Sequence, residues 1–166
     1  SALLALVVAA NATNALPALS GVGDLVKSGP GWLSLTNASR DFLGNITVAQ
    51  GTLLPAAASA LGYDDTARVL TVAAGAALDM GLIPSANAYA YAYQLRLAGD
   101  GPDGNGALVN NGPFVQYYTQ PRIALDADAS IGGSSRLDVR RNEGVAGTLQ
   151  PRFELNGYAL TVKGDA

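Results

Sequence analysis

The 166-residue chain has no cysteine and no histidine. The first absence excludes disulfides and thiolate metal sites. The second removes the commonest general base and the commonest transition-metal ligand, and with them any histidine-based triad. Charge is thin, with ten Lys and Arg against thirteen Asp and Glu for a formal net charge of −3. The basic residues are scattered, and Arg140-Arg141 is their only adjacent pair. Nucleic-acid binding needs a concentrated basic face, so no nucleic-acid partner is expected. No apolar run approaches the length that crosses a bilayer, so no membrane span is expected.

What is present is glycine, 20 residues of it, spread among Ala, Leu and Val, with Asn, Asp and Ser between. That mixture reads as many short strands joined by tight turns. Strands are expected at Leu3–Val8, Asp24–Lys27, Trp32–Thr36, Asn45–Val48, Thr52–Leu54, Arg68–Val72, Ala77–Met80, Tyr89–Leu97, Ala107–Val109, Arg122–Leu125, Ser130–Ile131, Arg136–Val139, Arg152–Leu155 and Ala159–Val162. Only "PAAASALG" at 55–62 suggests a helix, a turn or two started by Pro55 and ended by Gly62. The first segment also resembles the tail of a signal peptide, with Ala10, Asn11 and Ala12 as a cleavage-like triplet. No basic stretch precedes it, and a buried strand is the preferred reading.

A period then appears. "ITVAQGTLL" from Ile46 and "LTVAAGAAL" from Leu70 share Thr-Val-Ala-x-Gly and a final Leu at an offset of 24 residues. Leu137 and Leu160 stand in similar phrases 23 apart. A β-sandwich also has many short strands, but it does not explain a shared phrase at a fixed offset. The expected fold is all-β, a right-handed parallel β-helix of about six to seven rungs forming a single domain over 1–166. A lone rung cannot bury its inner face, whereas stacked rungs align like residues into a continuous core. Val48 should therefore sit on Val72. Aspartate at either position would be a charge without a partner.

The stretch from Ser20 to Leu53 resembles the passenger-associated repeat of bacterial autotransporters. The matching positions are Ser20, Gly21, Gly23, Leu25, Lys27, Gly29 and Gly31, then Leu33, Leu35, Asn37, Gly44, Thr47, Val48, Gly51, Thr52 and Leu53. Residues 60–81 are similar to a following rung, and "FELNGYALTVKG" at 153–164 to a phrase common in large surface β-helices. The family's Asn-Thr-Tyr is replaced by Asn37-Ala38-Ser39. The resemblance implies an extracellular or cell-surface segment of a larger passenger or fibre, with no catalytic residue, cofactor or metal. It implies a structural role in a fibre, stalk or adhesin. A β-helix has two open ends, and apolar "LLALVV" and the strand "YALTVKG" stand at them here, so end-to-end association with itself or with flanking β-helix is expected. A glycan or host-surface ligand is the partner class such a segment would meet.

The alternative is a polysaccharide-active β-helix, such as a lyase, a hydrolase or a depolymerase module. Asp126 and Asp128, two apart on an extended segment, would be its carboxylates. Three other acidic features read as structure. Asp64-Asp65 is a turn pair beside Arg68. The run of Asp100, Asp103 and Asn105 lacks the ligand spacing of a calcium loop. Arg136, Asp138 and Arg140 share one face as a charge ladder. Tyr89, Tyr91 and Tyr93 share a face with Leu95 and Leu97, which favours core over a glycan platform. Tyr117 and Tyr118 are the candidate partner contacts. Sequons at Asn11, Asn37 and Asn45 are candidate glycosylation sites.

Overall fold

Among the described residues, thirteen strands and no helix build the fold. The structure is a computed structural model, which describes residues 2–62, 68–84, 93–116, 122–140 and 152–164. The strands come in pairs along the chain. The first rung is β1 (Leu3–Val7) and β2 (Thr13–Leu16), and the second is β3 (Asp24–Ser28) and β4 (Trp32–Leu35). Then come β5 (Ile46–Val48) with β6 (Gly51–Pro55), β7 (Val69–Val72) with β8 (Ala76–Asp79), and β9 (Gln94–Gly99) with β10 (Leu108–Val109). The long β11 (Arg122–Gly132) forms a rung alone, and β12 (Arg152–Glu154) with β13 (Leu160–Val162) forms the last. Six pairs and β11 make seven rungs, so the protein is a parallel β-helix.

One ladder runs β1-β3-β5-β7-β9-β11-β12 and the other β2-β4-β6-β8-β10-β11-β13. Both are parallel throughout. Alternation along each strand sends every second side chain inward, and register stacks these into columns. Leu4, Leu25, Ile46, Leu70, Leu95, Ile123 and Phe153 form one column. Leu33, Leu53, Leu78, Leu108, Ile131 and Val162 form another in the opposite ladder. Between the ladders lies the core. Each such Leu, Ile or Val contributes roughly 1.5–3 kcal/mol on full burial. A sparser third face is marked by bridges from Gly21 to Phe42 and from Gln116 to Leu137.

The two glycines that close the runs after Asp41 do so for different reasons. Gly51 has φ of 69°, and a Cβ there would lie 2.4 Å from the Gly31 carbonyl oxygen. Gly44 is instead a place of close approach, where a Cβ would meet the Gly23 carbonyl oxygen at 1.9 Å. One position calls for an unusual turn and the other for thinness.

Val48 pairs with Val72, as the repeat requires, and both are fully buried. The offset of 24 does not survive the next turn. Gly51 pairs with Ala76 and Leu53 with Leu78, an offset of 25. Three residues separate β7 from β8, whereas two separate β5 from β6. The Leu137–Leu160 offset fails outright. Leu137 bridges Gln116 on the third face, and Leu160 pairs with Ala129. Arg136–Val139 is accordingly a bridge and not a strand.

The expected helix at 55–62 is absent. Pro55 ends β6 opposite Leu35, and the bonds that follow run from Ala60 N–H to the Ala57 carbonyl and from Gly62 N–H to Ser59. With Ser59 at φ of 60°, the segment is a pair of turns, too short to sustain a helix. The strand β2 was not expected. Its sequence, Thr-Asn-Ala-Leu, has little strand propensity, and it is held by pairing with β4. No helix among the described residues is long and apolar enough to cross a membrane.

Candidate functional site

The outer face of the second ladder carries a tryptophan beside an open cavity. Thr13, Trp32, Thr52 and Ala77 stack in one outward column. The small residues on either side leave the only tryptophan of the chain standing 39% exposed. A cavity of about 400 Å³ opens beside it, bounded by Leu54, Asp79, Leu82 and Asn111. It continues past Trp32, Asp79 and Asn111 under the loop residues Pro102, Asp103 and Asn105. From Asn105 and Asn111 it reaches a second opening of about 220 Å³ at Ser134 and Lys163. The two openings follow one another along the solenoid axis and are joined by a neck of about 40 Å³, together a groove with residues from rung 2 to rung 7.

Its wall is tied down. Gly106 N–H donates to the Asp100 carbonyl at 2.8 Å. Lys163 Nζ donates to the Gly104 carbonyl at 2.7 Å and lies 3.2 Å from the Asp100 carboxylate. The loop read as a tight turn is thus a strapped turn, with Lys163 from the last rung as its strap. In the groove, Asp79 Oδ1 accepts N–H bonds from Gly81 at 2.9 Å and Asn111 at 3.1 Å. Asn111 Oδ1 accepts from Ser134 N–H at 3.3 Å. These bonds fix both side chains.

The predicted carboxylates sit elsewhere. Asp126 and Asp128 lie where β11 bends from one ladder to the other, at a register shift. Asp126 forms a two-pronged ion pair with Arg96, one prong from Nε at 2.9 Å. Asp128 accepts the Ala159 N–H at 2.8 Å. Each is engaged with a neighbouring rung, and neither lines the groove. The Arg136–Asp138–Arg140 ladder forms as expected, with Arg136 bonding Asp138 twice and Arg140 3.5 Å away.

Tyr117, Tyr118, Tyr89, Tyr91, Asp64 and Asp65 lie outside the described residues. Tyr93 is buried with Leu95 and Leu97, as the core reading holds. Its hydroxyl donates to the Leu61 carbonyl and accepts from Arg68 Nη1 at 2.6 Å. Of the sequon residues, Asn11 and Asn37 are exposed in turns. Asn45 is exposed too, but its amide bridges rungs: Nδ2 donates to Asp24 at 3.2 Å and Oδ1 accepts the Val69 N–H at 2.9 Å.

Sequence reasoning did not anticipate Lys27 in the interior. It stands in the inward column between Leu6 and Val48 and is fully buried. Its Nζ donates to the carbonyls of Gly29, Ser28 at 3.2 Å and Gln50 at 2.8 Å. The ammonium thus closes two successive turns, and burial lowers its pKa. Its place in the Leu25-x-Lys27 alternation was the available signal, since Leu25 and Lys27 must share a face.

Family models, curated proteins and solved structures offer no match to the chain.

The surface ion pairs give a pH dependence. The hydrogen bond from Arg136, with the Arg136 and Arg140 charges, holds the Asp138 carboxyl below the usual range. The Ser130 hydroxyl and the Lys163 ammonium do the same for Asp100. Folded values below the unfolded value of about 3.9 mean stability present above that pH and lost as pH falls through the lowered values. Both groups are at the surface, so the effect is modest. The melting temperature should fall below about pH 4. The fall should be shallower in Asp138→Asn, and thermal scans from acid to neutral pH would measure both.

Proposed function

We propose that this chain is a non-catalytic solenoid segment of an extracellular or cell-surface fibre, stalk or adhesin that stacks end to end on further β-helical rungs. One observation carries the reading. The inward columns do not close at the terminal rungs but come into the open. Leu4 is 44% exposed and Phe153 38%, although Leu25 through Ile123 in the same column are buried. Val162, at the end of the opposite column, is 75% exposed. An apolar column ending beside an unpaired strand edge fits another rung of the same pattern, from a second copy or from flanking chain. The carboxylates of the enzymatic alternative support the same reading, since Asp126 and Asp128 bond to neighbouring rungs.

Sedimentation velocity across a concentration series tests it. Mass should rise with concentration, and electron microscopy should show short rods. Val162→Lys, at a position 75% exposed, should suppress the rise with little change in melting temperature, because a charge on an edge opposes pairing. A compact monomer at every concentration would overturn the self-stacking.

A further inference from the structure

We propose that the groove on the second ladder binds a neutral glycan chain laid along the solenoid axis, with Trp32 as its stacking platform. The proposal deepens the reading of the chain as a non-catalytic surface segment, and rests on it only in taking the glycan to be held and not cut.

Three features select that ligand. The first is the pairing of an open indole with fixed polar groups. A pyranose ring has an apolar C–H face and a rim of hydroxyls, so it is served by a flat aromatic beside hydrogen-bonding side chains. Trp32 supplies the flat surface, with Leu54 and Leu82 extending it. The rim would meet Asp79. Its Oδ1 is occupied by the two N–H groups, while its Oδ2 has no hydrogen-bond partner among the described residues. Asn111 is similar: Oδ1 is taken by Ser134, leaving Nδ2 as a donor. One acceptor and one donor, both held in place, suit vicinal hydroxyls.

The second feature is length. Groove residues recur on successive rungs from Trp32 on rung 2 to Lys163 on rung 7. At about 4.8 Å per rung the span is about 24 Å. That rise per rung is close to the rise of one sugar unit in an extended β-linked chain, so a polymer on the axis would advance about one unit per rung. The third is charge. Asp79 and Asp103 line the groove near Trp32 and would repel an acidic polymer, which selects a neutral one.

Because Trp32 is the only tryptophan among seven tyrosines, emission excited at the red edge, where tyrosine does not absorb, reports on this groove alone. The intact chain would be titrated with cellohexaose, xylohexaose and chitohexaose, and with hexagalacturonate as an acidic chain. Saturable quenching or a blue shift with at least one neutral hexamer is expected. Calorimetry should then show Trp32→Ala weakening that binding about tenfold or more, Trp32→Phe retaining part of it, and Asp79→Asn weakening it several-fold. Circular dichroism of each variant checks that the outward substitutions leave the fold intact. No response to any neutral hexamer, or a response to hexagalacturonate alone, would overturn the proposal. Chromatography of the incubated sugar separates the two readings. Shortened products would overturn the non-catalytic reading and leave the groove as the site, whereas absent binding would overturn the groove and leave the solenoid reading standing.

Discussion

Val72→Asp should remove several kcal/mol of the stability of the protein, and Val48→Asp should remove distinctly less. Val72 lies between Val48 and Leu97 in an inward column where all three are fully buried. A carboxylate there has only hydrocarbon above and below. The penalty for such a buried unpaired charge is about 3–5 kcal/mol, against a total stability of about 5–15. Val48 has the same burial but a different neighbour, since Lys27 is its partner on the preceding rung. An aspartate at 48 would gain a buried ammonium as a counter-charge. The sequence alone makes the two substitutions equivalent, and the register does not. Urea denaturation of the two variants decides the point. An unchanged Val72→Asp midpoint would mean that the register is wrong, and equal losses would mean that Lys27 does not reach position 48.

Lys27→Met should cost about 2–4 kcal/mol although methionine fills similar space, because each carbonyl left without a donor in the interior costs about 1–3 kcal/mol. The substitution strands the carbonyls of Gly29 and Gln50, whereas the Ser28 carbonyl keeps the Val8 N–H at 2.9 Å. Some of that cost is offset, since a charge no longer has to be buried. The pH dependence carries the sign. With its folded pKa lowered by burial, the group binds fewer protons folded than unfolded between that lowered value and the ordinary value of about 10.4. Wild-type stability should therefore rise with pH through that window. In Lys27→Met this part of the slope should disappear. Denaturation midpoints measured at several alkaline pH values in both proteins give the difference directly. Parallel curves would show that Lys27 is not the group responsible.

The fold was legible because a β-helix writes its register into the chain. Thr47-Val48 and Thr71-Val72 pair as the phrase demands, since both lie within strands where side chains must repeat to stack. Legibility ended at turns. One extra residue before Ala76 shifts the following strand, and no periodic signal fixes the length of a turn. It also ended where a neighbour imposes structure on an indifferent sequence, as β4 does on β2. The candidate site was less legible still. Trp32 reads as one more strand residue, and Asp79 as the end of a run. Their meeting with Asn105 and Asn111 depends on three rungs and a strapped loop that are far apart in sequence. Asp126 and Asp128 drew attention because they are close in sequence, the weakest guide to convergence in a solenoid.

β11 is the one strand that belongs to both ladders. Elsewhere each rung is two strands joined by a turn, and one can fray while the other stays paired. At β11 the backbone carries through the corner at Asp126–Asp128 without leaving the sheet. Among the described residues, β12 and β13 pair with β11 and with no other strand. Either of these two can leave β11 by itself, whereas loosening β11 disturbs both ladders at once. Among the described rungs, β11 is the place where the two sides of the solenoid are one continuous piece of chain.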